Sequence, residues 1–414
     1  MSNVFIIGMG PGEDACLTKE AIKVLEACPY VVGSARLLSL ADSYRIAEPE
    51  MHVLKDLQNC LQWIEEKQRL GDVCVLVSGD VHYYSLAGTI ARSGYHWKTK
   101  LIPGISSYQA LAARMGVTLE EAALCSVHGR NESEGYVSYQ TYTSPKAFFL
   151  CSSTFPPERI GKALCQYGLE QCMLTIGSFL YQEKESVVRV TAKKAATEEY
   201  PGFSVVCAEN PDAKSITVQN YLKDSQFIRG KVPMTKEEVR ILIMHKLEVQ
   251  PWDCVWDLGA GTGSISIEMA RHIPFGEVYS VEYKEAALAL IHRNKERFGC
   301  KNLSVISGRI QEVLEKLPDP DRVFLGGSEG ELETVVDYLA KLHNKVHFVM
   351  TAVTMETLSE AVRILSKREG FSYIQVQIGQ SKAVGTYHTT KMNHPVWILE
   401  VDLCYWIIEN ESIC

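Results

Sequence analysis

The sequence predicts an α/β protein built from two domains, and three observations lead to this fold class. The chain has 414 residues, which is too long for one ordinary core and suits two domains of roughly 200 residues. In both halves, continuous apolar segments alternate with helical patterns, as in sheets that helices cover on both faces. Each half also contains a glycine-rich loop, at 8–12 and 259–263, between an apolar segment and a helical pattern.

The N-terminal half alternates strands with amphipathic helices. Residues 18–28 predict a helix, with Thr18 as its N-cap and apolar residues on one face. A second helix contains Leu57, Leu61 and Ile64 and ends near Gly71. Strands are predicted at 4–8, 73–77, 101–102, 147–150, 173–176 and 203–208.

A polar, turn-rich stretch at 211–225 predicts a linker between one domain at 1–210 and another at 226–414. The first predicted element of the second domain is a helix that runs through Val239 to Leu247, with Thr235 as its predicted cap. Predicted strands follow at 254–258, 277–281, 303–306, 322–325 and 346–350, separated by helices at 264–272, 285–298, 330–342 and 355–369. Residues 373–378 and 395–401 predict a final antiparallel pair.

Composition and charge argue against several classes of protein. The net charge is −8 and neither half is basic, which disfavours broad binding to nucleic acid. The 13 cysteines include no CxxC pair, so we expect free thiols in a reducing compartment. The sequence has neither a leader-like N-terminus nor an apolar run near the ~18 residues of a membrane span. We therefore expect a cytoplasmic protein without a membrane partner.

The glycine loop of the second half lacks both common phosphate-binding patterns. Ser264 stands where the dinucleotide fingerprint needs its last glycine, and the string GxxxxGK[ST] is absent. What remains is a strand, the DLGAGTG loop, a helix and an acidic residue, Glu282, at the end of the next strand. In Rossmann-like folds such an acid binds ribose hydroxyls. The combination resembles the S-adenosylmethionine loop of class I methyltransferases and implies their Rossmann-like fold.

Two further segments narrow the resemblance. VPMTKEEVR at 232–240 and LGGSEGEL at 325–332 resemble the decarboxylating precorrin methyltransferases that act on C-15. Arg309 replaces an acid usual in that family, so only the backbone of Ile310 is carried over. Arg229 and Lys231, just before the first segment, are candidate ligands for substrate carboxylates. The resemblance implies cofactor contacts at Thr235, Gly259, Ala260, Gly261, Thr262, Gly263, Glu282, Ile310 and Gly327.

Three segments support a second cofactor site, near the first glycine loop. SGDVHYYS at 78–85 and PGISS at 103–107 follow two of the predicted strands, and SVHGR at 126–130 follows a third apolar strand, directly before it. Together the three segments resemble the class III tetrapyrrole methyltransferases. The HGR segment resembles the enzymes that methylate C-5 of precorrin-7. The family has two α/β lobes with a cofactor cleft between them. The resemblance implies that Pro11, Gly79, Asp80, Ser106 and Ser107 line this cleft.

Several polar residues have two interpretations. Asp80 is the candidate catalytic residue, which orients substrate or supports proton removal, but an aspartate after a strand also forms turns. His128 and Arg130 are candidate ligands for substrate carboxylates. The HxxxH pair His343 and His347 is more typical of surface or edge residues than of a metal site, and we expect no metal. Lys382, Tyr387 and His388 lie in a glycine-interrupted segment that we expect to be a loop over the active site.

The domain order resembles the fused C-5/C-15 methyltransferases of cobalamin biosynthesis. That resemblance implies two S-adenosylmethionine sites, a tetrapyrrole substrate, decarboxylation of a ring acetate and a homo-oligomer. Two alternatives stay open, namely a methyltransferase acting on RNA or protein and a non-catalytic corrinoid-binding protein. The sequence also leaves open whether the substrate contains cobalt.

Overall fold

The computed structural model describes residues 2–12, 16–44, 49–128, 132–216, 219–327, 330–342, 344–368 and 370–403. The chain forms two compact units, Met1–Ser215 and Ile216–Cys414. Across the described ranges, no helix is both long and apolar enough to cross a membrane. Every cysteine in those ranges is a free thiol.

The first unit begins with a five-stranded parallel sheet. Its strands are β1 (Asn3–Gly8), β2 (Tyr30–Gly33), β3 (Glu50–Val53), β4 (Val73–Val77) and β5 (Lys98–Ile102), in the spatial order β3-β2-β4-β1-β5. Its helices are α1 (Lys19–Ala27), α2 (Ala35–Asp42), α3 (Leu57–Lys67) and α4 (Leu86–Arg92). Every residue of β4 is buried, because side chains pack against both faces of the sheet in two apolar clusters.

A second, mixed sheet completes this unit. It contains β6 (Ala122–Ser126), β7 (Lys146–Leu150), β8 (Met173–Ser178), β9 (Ser186–Thr191) and β10 (Ser204–Glu209), in the order β6-β7-β10-β8-β9. Only β6 and β7 pair in parallel. The accompanying helices are α5 (Ser107–Met115), α6 (Glu134–Thr143), α7 (Pro157–Gln166) and α8 (Ala192–Ala195).

The second unit is built on one seven-stranded sheet in the order β13-β12-β11-β14-β15-β19-β16. The strands are β11 (Cys254–Leu258), β12 (Glu277–Glu282), β13 (Leu303–Ser307), β14 (Arg322–Leu325), β15 (Val346–Ala352), β16 (Ser372–Val376) and β19 (Val396–Leu403). The first five in that order are parallel, and β19 runs antiparallel to both its neighbours. Between β16 and β19, the strands β17 (Gly379–Val384) and β18 (Tyr387–Met392) form a separate hairpin.

Helices cover both faces of this sheet and enclose two apolar clusters. They are α9 (Glu237–Leu247), α10 (Ser264–His272), α11 (Glu285–Phe298), α12 (Ile310–Val313), α13 (Leu332–Leu339) and α14 (Met355–Leu365). The order of the five parallel strands reverses between β11 and β14. In open α/β sheets, ligands bind beyond the carboxyl ends of the strands at such a reversal.

The α/β class and most of the predicted elements are confirmed. Thr18 caps α1 as predicted, with its hydroxyl accepting from the Ala21 amide at 3.1 Å. The cap predicted at Thr235 is wrong, because α9 starts after Lys236 and no side chain caps it. Instead, the Thr235 carbonyl accepts a hydrogen bond from the Arg240 guanidinium at 2.7 Å, so it is bound by a side chain of the helix.

The loop predicted around Lys382, Tyr387 and His388 is also wrong. These residues lie in the β17–β18 hairpin, with Lys382 opposite Thr389 and His388 opposite Ala383. All twelve residues of its two strands are exposed. The polar composition that suggested a loop reflects this exposure on both faces.

Candidate functional site

The cleft residues predicted in the first unit lie around one cavity of about 330 Å³. Strands β1, β4 and β5 are parallel neighbours, so the loops after their carboxyl ends share one edge of the sheet. Residues of the second sheet, including Leu150 and Val205, line the same cavity. The predicted residues on its wall are Pro11, Gly79, Asp80, Ser106, Ser107 and His128. Arg130 lies outside the described residues.

Glycine allows the three loops of this edge to contact one another. A Cβ added at Gly104 would lie 2.4 Å from the Gly79 carbonyl oxygen and 2.5 Å from that of Gly8. Gly10 and Gly79 exchange two backbone hydrogen bonds of 3.1 and 3.0 Å. The glycines therefore permit close packing of backbone against backbone, and this packing holds the loops of the cavity wall in place.

Asp80 joins two of these loops through its side chain and is only 5% exposed. Its Oδ1 accepts from the His82 amide at 2.8 Å and lies 3.0 Å from the His82 ring Nδ1. Its Oδ2 accepts from the Gly104 amide at 2.9 Å. Both carboxylate oxygens therefore hold backbone, which favours the turn-forming interpretation of this residue over proton removal.

Ser106 and Ser107 begin α5 at the cavity wall. The Ser106 hydroxyl accepts from the Gln109 amide at 3.2 Å, and the Gln109 side chain accepts from the Ser106 amide at 2.8 Å. This capping box commits the Ser106 hydroxyl to the helix. The first turn of α5, rather than the Ser106 side chain alone, is what a ligand in the cavity meets.

His128 is exposed and reaches the cavity from the end of β6. Its Nδ1 lies 3.2 Å from the Cys151 carbonyl oxygen, which can only accept, so Nδ1 donates this hydrogen bond. The other ring nitrogen, Nε2, then accepts in the neutral ring and donates in the protonated ring. His128 can therefore interact with a polar group of a ligand in either state.

In the second unit, the glycine loop follows β11 at the strand-order reversal. A Cβ added at Gly259 would lie 3.4 Å from the Gly327 carbonyl oxygen, and one at Gly261 would lie 3.8 Å from that of Pro233. The loop therefore has the end of β14 on one side and the segment before α9 on the other. Ala260, Thr262 and Gly263 complete it, and Ile310 starts α12 beyond β13, at the same edge of the sheet. The predicted cofactor residues thus come from four adjacent parallel strands and one preceding segment.

Glu282 ends β12 beside this loop and is 6% exposed. Its Oε2 accepts from the Gly261 amide at 3.0 Å, and its Oε1 accepts from the Tyr283 and Lys284 amides, both at 2.8 Å. A carboxylate offers about four acceptor positions, so three backbone amides leave about one for a ligand. Glu282 both shapes the glycine loop and keeps limited capacity to bind a hydroxyl.

Sequence reasoning missed Arg240, a fully buried arginine that organises the segment before α9. Its guanidinium donates to Asp224 Oδ1 at 2.6 Å and to the carbonyls of Leu222 and Thr235. It also lies 3.6 Å from Glu268 and stacks over the Phe227 ring at 4.7 Å. Arginine side chains are rarely fully buried, so the sequence gives a signal only if Arg240 is recognised as standing on the apolar face of its helix.

Asn294 on α11, also missed, connects the same segment to the glycine loop. Its amide nitrogen donates to the carbonyls of Ile228 and Thr262, each at 3.2 Å, and its oxygen accepts from the Ile228 amide at 2.8 Å. Asn294 is fully buried. It therefore fixes the residue next to Arg229 relative to the glycine loop.

The two candidate carboxylate ligands of this unit have different surroundings. Arg229 is half exposed and pairs with Asp224 at 3.1 Å, whereas Lys231 is simply exposed. Asp224 also contacts Lys236 and Arg240, so one carboxylate faces three cations. Arg229 therefore shares its acidic partner with two other cations.

Asp257, the acid that precedes the glycine loop, is buried beneath it. Burial raises the pKa of Asp257 to about 7, although hydrogen bonds from Ser266 act in the opposite direction. The Ser266 hydroxyl donates to Asp257 and lies 2.9 Å from the Ser280 hydroxyl. This buried network lies beneath the loop and supports it.

Of the two histidines in the HxxxH pair, the structure describes His347. His343 lies outside the described residues, and His347 on β15 contacts Asp402 and the Lys246 carbonyl oxygen, both at 2.8 Å. Within the described ranges, no group of three His, Cys, Asp or Glu side chains could hold a metal ion.

Sequence comparison gives a family to each unit. Residues 3–196 match the tetrapyrrole (corrin/porphyrin) methylases, and residues 226–402 match the precorrin methyltransferase domain. The chain is 29% identical over 395 residues to a Sinorhizobium protein named precorrin-6Y C(5,15)-methyltransferase (decarboxylating), with 94% of each chain covered.

Further relatives correspond to the second unit. The cobalt-precorrin-6B C(15)-methyltransferase (decarboxylating) of Salmonella typhimurium is 37% identical over 182 residues, which cover 43% of this chain and 94% of the relative. A solved structure named precorrin-6Y C5,15-methyltransferase, from Geobacter metallireducens, shares 34% identity and covers 44% of this chain and 94% of that chain, with a TM-score of 0.40. The chain therefore belongs to the decarboxylating precorrin methyltransferases and has the domain order of the fused C(5,15) family.

Proposed function

We propose that the chain is a bifunctional S-adenosylmethionine-dependent enzyme of corrin ring biosynthesis. It methylates C-15 of a precorrin and removes the ring C acetate carboxyl group as carbon dioxide, and it methylates C-5, giving a precorrin-8. The observation that carries this proposal is the 94% coverage of a fused C(5,15) relative, with a candidate ligand-binding edge in each unit. Arg229 and Lys231 belong to the C-15 site, and His128 and Arg130 to the C-5 site.

The proposal assigns a fold family and a boundary to each domain. Residues 1–210 form a class III tetrapyrrole methyltransferase with two α/β lobes, which agrees with two separate five-stranded sheets. Residues 226–414 form a class I Rossmann-like methyltransferase, supported by strand order reversing between β11 and β14. Residues 211–225 are the linker.

The cavity of the first unit fits S-adenosylmethionine. Its volume of about 330 Å³ lies in the range of small-molecule pockets. Its wall combines the backbone of glycine loops with apolar side chains such as Leu37 and Leu76, which suits a ligand with a flat adenine ring. The loops around Pro11, Gly79 and Ser106 hold it mainly through main chain.

The second unit fits the same molecule through a different set of groups. No side chain caps α10, so the first turn of this helix can receive the carboxylate of the methionyl part. Glu282 keeps about one acceptor position for a ribose hydroxyl. A Cβ at Gly327 would meet no atom within 4 Å, which leaves room beside the loop. The proposal therefore includes two cofactor sites on one chain.

S-adenosylmethionine supplies a methyl group on a sulfonium that carries its own leaving group. The chain contributes orientation, worth up to ~7–11 kcal/mol in well-oriented reactions, and needs no strong base at the start. This agrees with an Asp80 whose carboxylate is bound to backbone. Asp80 then acts by holding the loops after β4 and β5 in place.

In the C-15 reaction, residues of the second unit hold the substrate carboxylates that stay. Arg229 and Lys231 lie on the segment that Arg240 and Asn294 fix against the glycine loop. The acetate carboxylate on ring C loses its bond to the adjacent carbon, carbon dioxide leaves, and the electron pair enters the conjugated ring. Excluding water from this carboxylate favours the step.

The test is mass spectrometry of the product after purified full-length protein is incubated with S-adenosylmethionine and precorrin-6B, with and without cobalt. The proposal expects a product heavier by two methyl groups and lighter by one carbon dioxide. Loss of carbon dioxide with one methyl group would leave the first unit without its assigned activity. No change in substrate mass, despite binding of S-adenosylhomocysteine, would contradict the whole assignment.

A homo-oligomer is the remaining part of the proposal. Its support is the β17–β18 hairpin, a two-stranded ribbon whose residues are all exposed. Such ribbons are marginally stable alone and gain stability from packing against another surface. Sedimentation velocity of the full chain tests this, and a monomer at all concentrations would contradict it.

A further inference from the structure

The cavity that we assign to the cofactor of the first unit also has to face the proposed substrate, a tetrapyrrole with several carboxylates, and its wall has few charges for such a partner. Among the described residues on its wall, the charged or titrating side chains include Asp80 and His128 but no lysine or arginine. Asp80 is negative and already binds backbone amides. Recognition of a substrate with several carboxylates therefore calls for cations beside this wall, in addition to the proposed ligand Arg130.

Arg36 stands at this position. It is the second residue of α2, and its neighbours Ser34 and Leu37 both line the cavity. Strand β2, which precedes it, pairs with β4, so Arg36 shares the sheet edge that carries the Ser78 loop. Its guanidinium donates to the Ser78 hydroxyl at 3.1 Å.

A second contact comes from the other sheet of the unit. The guanidinium carbon of Arg36 lies 5.3 Å from the centroid of the Phe203 ring, just before β10. Both Ser78 and Phe203 line the cavity. The cation is therefore held between two wall residues, one from each sheet, and this restricts its position before any ligand arrives.

Arg36 is also available to bind an anion. Within the described residues, no acidic side chain pairs with it, unlike Arg114 and Arg159 of the same unit, which pair with Glu185 and Glu134. A guanidinium has five N–H donors, and the Ser78 hydroxyl takes only one of them. The residue is exposed, so the remaining donors are accessible.

We propose that Arg36 binds a peripheral carboxylate of the tetrapyrrole substrate at the C-5 site, with Ser78 and Phe203 holding its guanidinium in place. This inference rests on the proposed function, since it assigns a residue to the substrate of that same site. It places the anionic rim of the substrate on the side of the cavity formed by α2 and Phe203.

The experiment measures C-5 methylation by full-length Arg36→Gln. A charge-assisted hydrogen bond typically contributes about 1.5–3 kcal/mol, so KM for the C-5 substrate should rise roughly 10- to 100-fold. We expect kcat and the affinity for S-adenosylhomocysteine to stay within about twofold. The difference from the wild type should shrink at high salt, because exposed charges are screened.

Three controls belong to this experiment. Arg36→Lys keeps the charge and should recover part of the lost affinity. Arg92→Gln removes an exposed arginine in the last turn of α4 and should leave KM unchanged. The C-15 reaction of the same Arg36→Gln protein should also keep its KM, which would show that the second unit is unaffected, while unchanged cofactor affinity at the C-5 site would show that the first unit is folded.

A purely structural role for Arg36 would give a different result. If Arg36→Gln and Phe203→Leu lower kcat and cofactor affinity together while KM stays the same, Arg36 only joins the two sheets and the inference is wrong. If the wild type shows no C-5 methylation, the proposed function fails separately. Absorbance titration with uroporphyrin, a stable tetrapyrrole polycarboxylate, then decides the inference, and equal affinities of wild type and Arg36→Gln would overturn it.

Discussion

The Gly104 amide donates a 2.9 Å hydrogen bond to Asp80 Oδ2, and this bond joins the loops that follow β4 and β5. The same carboxylate accepts from the His82 amide through its other oxygen. Each oxygen of this aspartate is thus bound to a backbone amide, which favours a role in holding the two loops together. Its effect on the reaction should therefore come through the shape of the cavity.

Replacing Asp80 tests this relationship. In Asp80→Asn, the amide group cannot accept from both backbone N–H groups, so one of these amides loses its partner. We expect cofactor affinity at the C-5 site to fall at least about tenfold, since bonds to a charged group contribute about 1.5–3 kcal/mol. Calorimetric titration with S-adenosylhomocysteine and C-5 turnover provide the measurement.

Asp56→Asn is the matched control, because this exposed aspartate also accepts from a backbone amide, that of Asn59 at 2.8 Å. Asparagine caps helices as well as aspartate does, so this variant should keep full activity. The C-15 reaction should be unaffected in both variants. A purely kinetic loss in Asp80→Asn, with a shifted pH profile and normal cofactor affinity, would instead restore Asp80 as a proton acceptor.

The sequence predicts an element correctly where a local pattern of residues determines both the type of the element and its place in the chain. Buried parallel strands such as β4 and β11 read as continuous apolar runs, and the glycine loops after them stand at fixed offsets. The strands β2 and β3 are not predicted, because each has only four residues and is too short to show a periodic pattern. Edge strand β3 has no buried residue, which removes the pattern altogether.

Other site residues depend on contacts between distant parts of the chain. Asn294 binds Ile228, 66 positions away, and Arg36 contacts Ser78 and Phe203 from different sheets. No spacing rule connects such positions, so a sequence pattern cannot identify them. Arg240 lies within the segment at 232–240 that resembles the precorrin methyltransferases, yet its buried partners come together only in the folded chain.

Replacing Gly261 should affect one of the two proposed reactions and leave the other. Its φ of +58° is in the left-handed region, and its amide donates to Glu282 Oε2. Gly261→Arg should abolish C-15 methylation and decarboxylation, because the side chain occupies the space beside the loop, while C-5 methylation continues. Product mass spectrometry reports both reactions in one sample.

Any side chain at a left-handed φ strains the backbone, and the effect of this strain needs its own control. Gly299 also has a left-handed φ, +64°, but a Cβ there would meet no atom within 4 Å. Gly299→Arg should therefore cost only about 1–2 kcal/mol of stability and retain both reactions. Decarboxylation retained in Gly261→Arg would show that the C-15 reaction takes place elsewhere.

Arg240→Met should destabilise the second unit strongly. Removing the buried cation takes away the partner that Asp224 and Glu268 share in the interior and leaves them only their more exposed partners, which typically costs about 3–5 kcal/mol. Arg271→Met is the control, since Arg271 shares Glu268 but is partly exposed and should cost about 1 kcal/mol or less. Thermal inactivation is the readout: C-15 activity should be lost at a lower temperature in Arg240→Met, and C-5 activity should not. Equal inactivation of both reactions would mean that the arginine stabilises the whole chain.

Asp257 makes the stability of the second unit depend on pH. Burial raises its pKa from 3.8 to about 7, so the folded state holds a proton that the unfolded state releases above about pH 4. The free energy of unfolding therefore falls as pH rises from about 4 to about 7 and is constant above that range, as far as this group is concerned. Burial also raises the pKa of Asp253 to about 6, which adds to the same trend.

Asp257→Asn should remove the larger part of this slope, because the amide is neutral at every pH and can still accept from the Ser266 hydroxyl. Urea unfolding at pH 5 and pH 8 provides the measurement, and the first unit contributes equally to wild type and variant. Relative to the wild type, the variant should be more stable at pH 8 than at pH 5 by on the order of 1 kcal/mol or more. A difference between the two proteins that is independent of pH would mean that Asp257 is already ionised in the folded state, with Ser266 compensating for its burial.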